Sequence, residues 1–80
     1  MDIEKIKQSV LFIYQSCVNS NLSEKLFDTP LEEMGADSLD RIEMMMELEE
    51  SFEIEISDKD ASRIGSYNET VDLMIELLTQ

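Results

Sequence analysis

Only two glycines and one proline interrupt the 80 residues of this chain. The backbone therefore has few positions suited to tight turns and must run for long stretches in one regular conformation. The apolar spacing says which. Ile3, Ile6, Val10, Ile13, Tyr14 and Cys17 recur at helical intervals behind Asp2, which is placed to cap them, so a first helix is expected over about residues 3 to 18. Asn19, Ser20 and Asn21 end it. Residues 19–37 are long for a connection in so small a chain, yet Leu22, Leu26, Phe27, Leu31 and Met34 stand among them with Pro30 and Gly35, the pattern of an ordered loop pinned by apolar anchors. A second helix is expected from Ser38 to about Glu50. Ser57, with Asp60 three residues on, reads as an N-cap opening a short third helix that reaches Ile64. Ser66-Tyr67-Asn68-Glu69 fits a capping box for a last helix with Val71, Met74, Ile75 and Leu78 inward. The expected fold is all-α: a four-helix bundle with three longer helices, one short third helix and a long ordered loop between the first and second. Residues 1–80 form a single domain in this reading.

The side chains exclude several kinds of function. There is no histidine, which removes a Ser-His-Asp or Cys-His nucleophile, a His-ligated zinc and a His general base. A chain of this length buries only roughly 60–65% of its unfolded surface, so a large internal active site is not expected. Any chemistry is expected to be done by something else. Asp and Glu total 19 against 6 Lys and Arg, for a net charge of −13. That charge repels nucleic acid and anionic lipid and favours a basic protein surface or a cation as partner. An apolar fraction of 42% is enough for a core, so the acidity does not read as disorder. No apolar run approaches the ~18 residues of a membrane span, and the start, Met1-Asp2-Ile3-Glu4, lacks a signal-peptide pattern. A cytoplasmic monomer is expected. The lone Cys17 has no internal disulfide partner and lies on the apolar face of the first helix as a small hydrophobe.

The second helix carries two apolar stripes. At about 100° per residue, with Leu39 at zero, Ile42 falls near 300° and Met46 near 340°, while Met44, Met45, Leu48 and Phe52 fall between about 140° and 240°. A helix on the rim of a small bundle buries one such stripe well, and the one with Leu48 and Phe52 is the larger. The other, Leu39, Ile42 and Met46, is bordered by Asp40, Glu43, Glu47, Glu49 and Glu50. Two readings stand: a recognition strip for a basic partner, or a stripe covered by the long loop. Met46 suits the first, because its unbranched thioether adapts to differently shaped pockets.

At the start of that helix, Asp37 or Ser38 is an N-cap, and Asp40 lies favourably near the positive end of the helix dipole. The same position also suits a phosphate on an exposed Ser38. Leu31-Glu32-Glu33-Met34-Gly35-Ala36-Asp37-Ser38-Leu39-Asp40, continued by Ile42-Glu43-Met44-Met45-Met46-Glu47-Leu48-Glu49-Glu50-Ser51-Phe52-Glu53-Ile54-Glu55-Ile56 and by Asp58, Asp60, Ala61 and Ile64, resembles the attachment site of acyl carrier proteins. The resemblance is continuous from about residue 31 to 78, and residues 1–30 fit by pattern only. It implies that a separate phosphopantetheinyl transferase, assisted by Mg²⁺, joins 4′-phosphopantetheine from coenzyme A to Ser38, with Asp37 positioning metal and transferase. The arm's thiol then carries acyl groups as thioesters for fatty-acid, polyketide or related biosynthesis, with an aminoacyl or other specialised carboxylate as the alternative cargo. Carried over, the partner-docking residues are Leu39, Asp40, Ile42, Glu43, Met46, Glu49 and Glu50, and the chain itself is not an enzyme. The missing histidines agree, because the transferase supplies the base.

Some residues depart from that pattern. Arg41 is a cation in a helix start otherwise made of acids. It lies near 200° on the core side, so it is expected to lean outward from the helix end, to cover apolar surface with its stem, and either to pair with Glu33 or Asp37 or to repel some standard partners. With Glu47, Ser57 and Gly65-Ser66-Tyr67, it suggests a specialised carrier. The rival from another class is a calcium sensor. Asp58, Asp60, Ser62 and Glu69 take the first, third, fifth and twelfth places of an EF-hand loop, but Arg63 stands where that loop needs glycine.

Overall fold

The computed structural model describes residues 2–79. Among them four helices and no strand occur: α1 (Ile3–Cys17), α2 (Ser38–Phe52), α3 (Asp58–Ala61) and α4 (Tyr67–Leu78). The expected all-α bundle, with its short third helix, is what forms. Each helix begins where a side chain caps it: Asp2 accepts from the Glu4 N–H at 3.0 Å, Ser57 from Asp60 at 3.1 Å and Ser66 from Glu69 at 3.3 Å. Of the capping box expected at Ser66 only that half is made, because Glu69 turns its carboxylate over Gly65, where a Cβ would meet it.

Helix ends differ more from expectation. The second helix continues to Phe52 and stops at Glu53, which adopts the left-handed conformation at φ 54°. α3 stops at Ala61, before Ile64, which stays fully buried as a loop residue. Both ends lack the glycine that usually marks a helix C-terminus in sequence.

α1 packs against both α2 and α4. With Cα extents of 32 × 25 × 17 Å, the molecule is about two helix layers thick, so each helix has one side to bury. The core gathers Ile6, Val10, Ile13 and Tyr14 from α1, Met44 and Leu48 from α2, and Tyr67, Val71, Leu73 and Met74 from α4. Ile3, expected on that face, is exposed in the first turn of α1, and Met45, Phe52, Ile75 and Leu78 are half-buried at its margin. Cys17 is likewise half-buried, and burial, with the fields of Glu47, Glu43 and Asp40 added, raises its thiol above the ordinary value.

The long loop is ordered as expected. It forms two 3₁₀ turns, Glu24–Leu26 and Leu31–Met34, with Leu22 and Leu31 buried. Backbone hydrogen bonds tie it to the start of α4: Asn68 N–H donates to the Phe27 carbonyl at 3.0 Å and Leu31 N–H to that of Gly65 at 2.9 Å. Asn68 Nδ2 also donates to Asp28 at 2.7 Å. The Tyr67 ring packs against Phe27 at a centroid distance of 4.1 Å and edge-on to Tyr14 at 5.8 Å. These contacts hold the loop against α4 and away from the outer face of α2.

Candidate functional site

The loop reaches α2 through Gly35, whose φ of 92° suits glycine, followed by Ala36 and Asp37. Asp37 is the N-cap. Its Oδ1 accepts from the Asp40 N–H at 2.9 Å, and Asp40 Oδ2 accepts from the Asp37 N–H at 3.2 Å, a reciprocal capping box. Of the two capping candidates, the chain uses Asp37. Ser38 is therefore the first helical residue and is exposed, its hydroxyl not engaged as the cap. The positive end of the dipole lies at this turn, which suits an anion on that hydroxyl.

Beyond Ser38 the two stripes of α2 separate as expected. Met44 and Leu48 are fully buried, while Leu39, Ile42 and Met46 remain 60%, 50% and 62% exposed. The loop does not cover them. Glu43, Glu47 and Glu50 beside them are exposed, so the strip is an apolar seam within acids. Asp40 is half-exposed, with one carboxylate oxygen held by the capping box.

Glu49 is placed differently. It is half-buried, and its Oε2 accepts from the Ile56 N–H at 2.8 Å while its carbonyl accepts from Ile54 at 3.1 Å. The carboxylate thus ties the segment leaving α2 back onto that helix. Nothing in the sequence marks this contact, because it joins residues across a turn whose conformation is set by Glu53.

Arg41 overturns an expectation. It pairs with neither Glu33 nor Asp37 and does not lean outward. Its side chain crosses the end of the bundle, where one terminal nitrogen donates to the Ile64 carbonyl at 2.7 Å and the other lies 3.6 Å from a Glu32 carboxylate oxygen. The reason is position. Facing the core side of α2, the guanidinium finds the free carbonyl left where α3 stops short of Ile64. The core-side wheel angle is the signal available in the sequence.

The calcium-binding arrangement does not form. Asp58 and Asp60 open α3, and Arg63 lies 3.7 Å from Asp60 and bonds Glu76 closely through its other terminal nitrogen. Among the described residues no group of three or more acids or cysteines gathers as ligands for a metal ion. No helix among those residues is long and apolar enough to cross a membrane.

A family model described as the phosphopantetheine attachment site matches residues 19–74. The chain is 43% identical over 53 residues to the acyl carrier protein of Buchnera aphidicola subsp. Acyrthosiphon pisum, a span covering 64% of this chain and 66% of that one. It is 42% identical over 45 residues to the acyl carrier proteins of Chlorobium phaeovibrioides and Chlorobium luteolum, covering 56% of this chain and 58% of theirs. The matched spans are thus 58–66% of the relatives' own length, under two thirds in each case.

Proposed function

The chain belongs to the acyl carrier protein family, and from that premise we propose that Ser38 is the residue to which 4′-phosphopantetheine is attached. The observation that carries the proposal is the exposed Ser38 hydroxyl at the first position of α2, with capping done by Asp37 and an open apolar strip beginning at the next residue. The residues present fit the group: the hydroxyl is accessible, the helix end favours a phosphodiester, and the flanking carboxylates are engaged with backbone N–H groups.

In the proposed attachment, the Ser38 oxygen forms a bond to the phosphorus next to the pantetheine of coenzyme A, and the pyrophosphate bond breaks. The serine proton passes to a base of the transferase, and adenosine 3′,5′-bisphosphate leaves. Asp37 lies beside the reacting hydroxyl and is the residue placed to help position the Mg²⁺ and the transferase. Once attached, the arm supplies a thiol that holds acyl groups as thioesters. The chain acts as a carrier and not as an enzyme.

The docking surface is the strip of Leu39, Ile42 and Met46 with Asp40, Glu43 and Glu50, met by basic patches on the transferase and on acyl-transferring enzymes of fatty-acid or polyketide synthesis. Glu49 joins its acidic border through whatever part of its carboxylate Ile56 leaves free. The proposed setting is a cytoplasmic monomer with residues 1–80 as one carrier domain. Incubating the purified chain with coenzyme A, Mg²⁺ and a phosphopantetheinyl transferase tests the assignment. Intact mass is expected to rise by one phosphopantetheine in the wild type and not in Ser38→Ala. An unmodified wild type, or a modified Ser38→Ala, contradicts it.

A further inference from the structure

We propose that Arg41 is an exchangeable counter-ion, which leaves Glu32 for the phosphodiester on Ser38 when the serine is modified. The inference rests on Ser38 being the attachment residue and concerns what this chain does in response.

Arg41 is the only cation among residues 32–55, a segment with ten acids. A phosphodiester on Ser38 adds another negative charge between Asp37 and Asp40, and Arg41 is the residue placed to oppose it. Ser38 and Arg41 are three residues apart on one helix, separated by about 60° around its axis, so their side chains leave the same side of α2.

The guanidinium is only half committed. The hydrogen bond of 2.7 Å to the Ile64 carbonyl fixes one nitrogen, whereas the contact of the other with Glu32, at 3.6 Å, is an ion pair too long for a hydrogen bond. Glu32 is itself well exposed and belongs to a different segment, the Leu31–Met34 turn. The Arg41 side chain is half-buried and Glu32 is solvated, and at 3.6 Å a pair with one solvated partner is loose and worth little. The phosphodiester offers the fork of the guanidinium two oxygens from a tether on the same helix, which is the stronger geometry. Exchange keeps the Ile64 bond, so the guanidinium stays anchored while Glu32 is released. The loop turn next to the site then reports whether the serine is loaded, without any movement of α2.

The test compares unmodified and modified protein, with conversion checked by intact mass, for wild type, Arg41→Gln, Arg41→Lys and Glu32→Gln. At low salt the wild type is expected to change in Tm by no more than about 1 °C on modification, whereas Arg41→Gln falls by about 3–5 °C and Arg41→Lys, which keeps the charge but not the fork, lies between them, a gap that closes at high salt. In ¹⁵N-labelled wild type, the Arg41 Nε–H resonance and the backbone amides of residues 31–34 move on modification. In unmodified Glu32→Gln, the Nε–H resonance is already displaced towards its modified position. If Arg41→Gln does not fold, the resonances of the wild type decide. Full conversion with an unmoved Arg41 resonance, or with equal Tm changes in wild type and Arg41→Gln, overturns this inference and leaves Ser38 as the attachment residue. No added mass overturns the reading of Ser38, and the inference falls with it.

Discussion

Thr70 shows how single residues hold this small core together. Its hydroxyl donates to the Ser66 carbonyl at 2.8 Å, so its one proton is used there and the buried Tyr14 hydroxyl, 2.6 Å away, is the donor to Thr70 Oγ1. The order of two substitutions follows. Thr70→Val leaves a buried phenol with no acceptor and is expected to cost about 1–3 kcal/mol, whereas Tyr14→Phe leaves Thr70 bonded to Ser66 and costs about 1 kcal/mol. Urea denaturation measures both, and a smaller loss for Thr70→Val contradicts the assignment. Burial also pushes the Tyr14 phenol up to about 12 from its ordinary 10.0, and raises Tyr67 above its ordinary value. Above pH 10 the unfolded chain loses this proton while the folded one keeps it, so stability is full below about pH 10 and falls as pH rises towards 12. Phenolate absorbance that rises together with loss of helical circular dichroism checks this. Titration of both tyrosines at the ordinary value without unfolding contradicts it. None of this is legible in the sequence, because Tyr14 and Thr70 are 56 residues apart.

At the scale of elements, helix starts are readable and helix ends are not. Asp2, Ser57 and Ser66 each cap from the position their sequence context predicts, because a cap bonds residues two or three places away. The site shares this legibility: Asp37, Ser38 and the strip of Leu39, Ile42 and Met46 depend on one helix and its first turn. The end of α2 depends instead on Glu53 adopting φ 54°, a conformation that its residue type does not announce. Replacing Glu53 with glycine removes the Cβ that makes this conformation costly, and is expected to stabilise the chain by about 0.5–1 kcal/mol. An unchanged or lower Tm contradicts that account of the α2 end. Arg41 lies between these cases. Its unusual side of the helix is visible in the sequence, but its partners Glu32 and Ile64 come from two other segments that only the folded chain brings together.

For the whole molecule, the charge is concentrated where the site is. Of the 19 acids, ten lie within residues 32–55, against the single cation Arg41. Charge reversal at Glu43, which is exposed on α2, is expected to slow modification by about two- to tenfold at low salt while leaving the urea midpoint nearly unchanged. The effect shrinks as ionic strength rises. An unchanged rate means that the transferase meets another face. Away from that face, Phe12 on α1 is 70% exposed and is not singled out by periodicity, since it lies off the buried stripe of its helix. The central claim concerns one hydroxyl, and the most direct measurement is peptide mass spectrometry of the protein purified from its native host. Trypsin cuts after Lys25 and Arg41, so residues 26–41 form one peptide with Ser38 as its only serine. The account predicts phosphopantetheine on Ser38 within that peptide. A native protein in which that peptide is always unmodified, or in which the group sits on another residue, contradicts it.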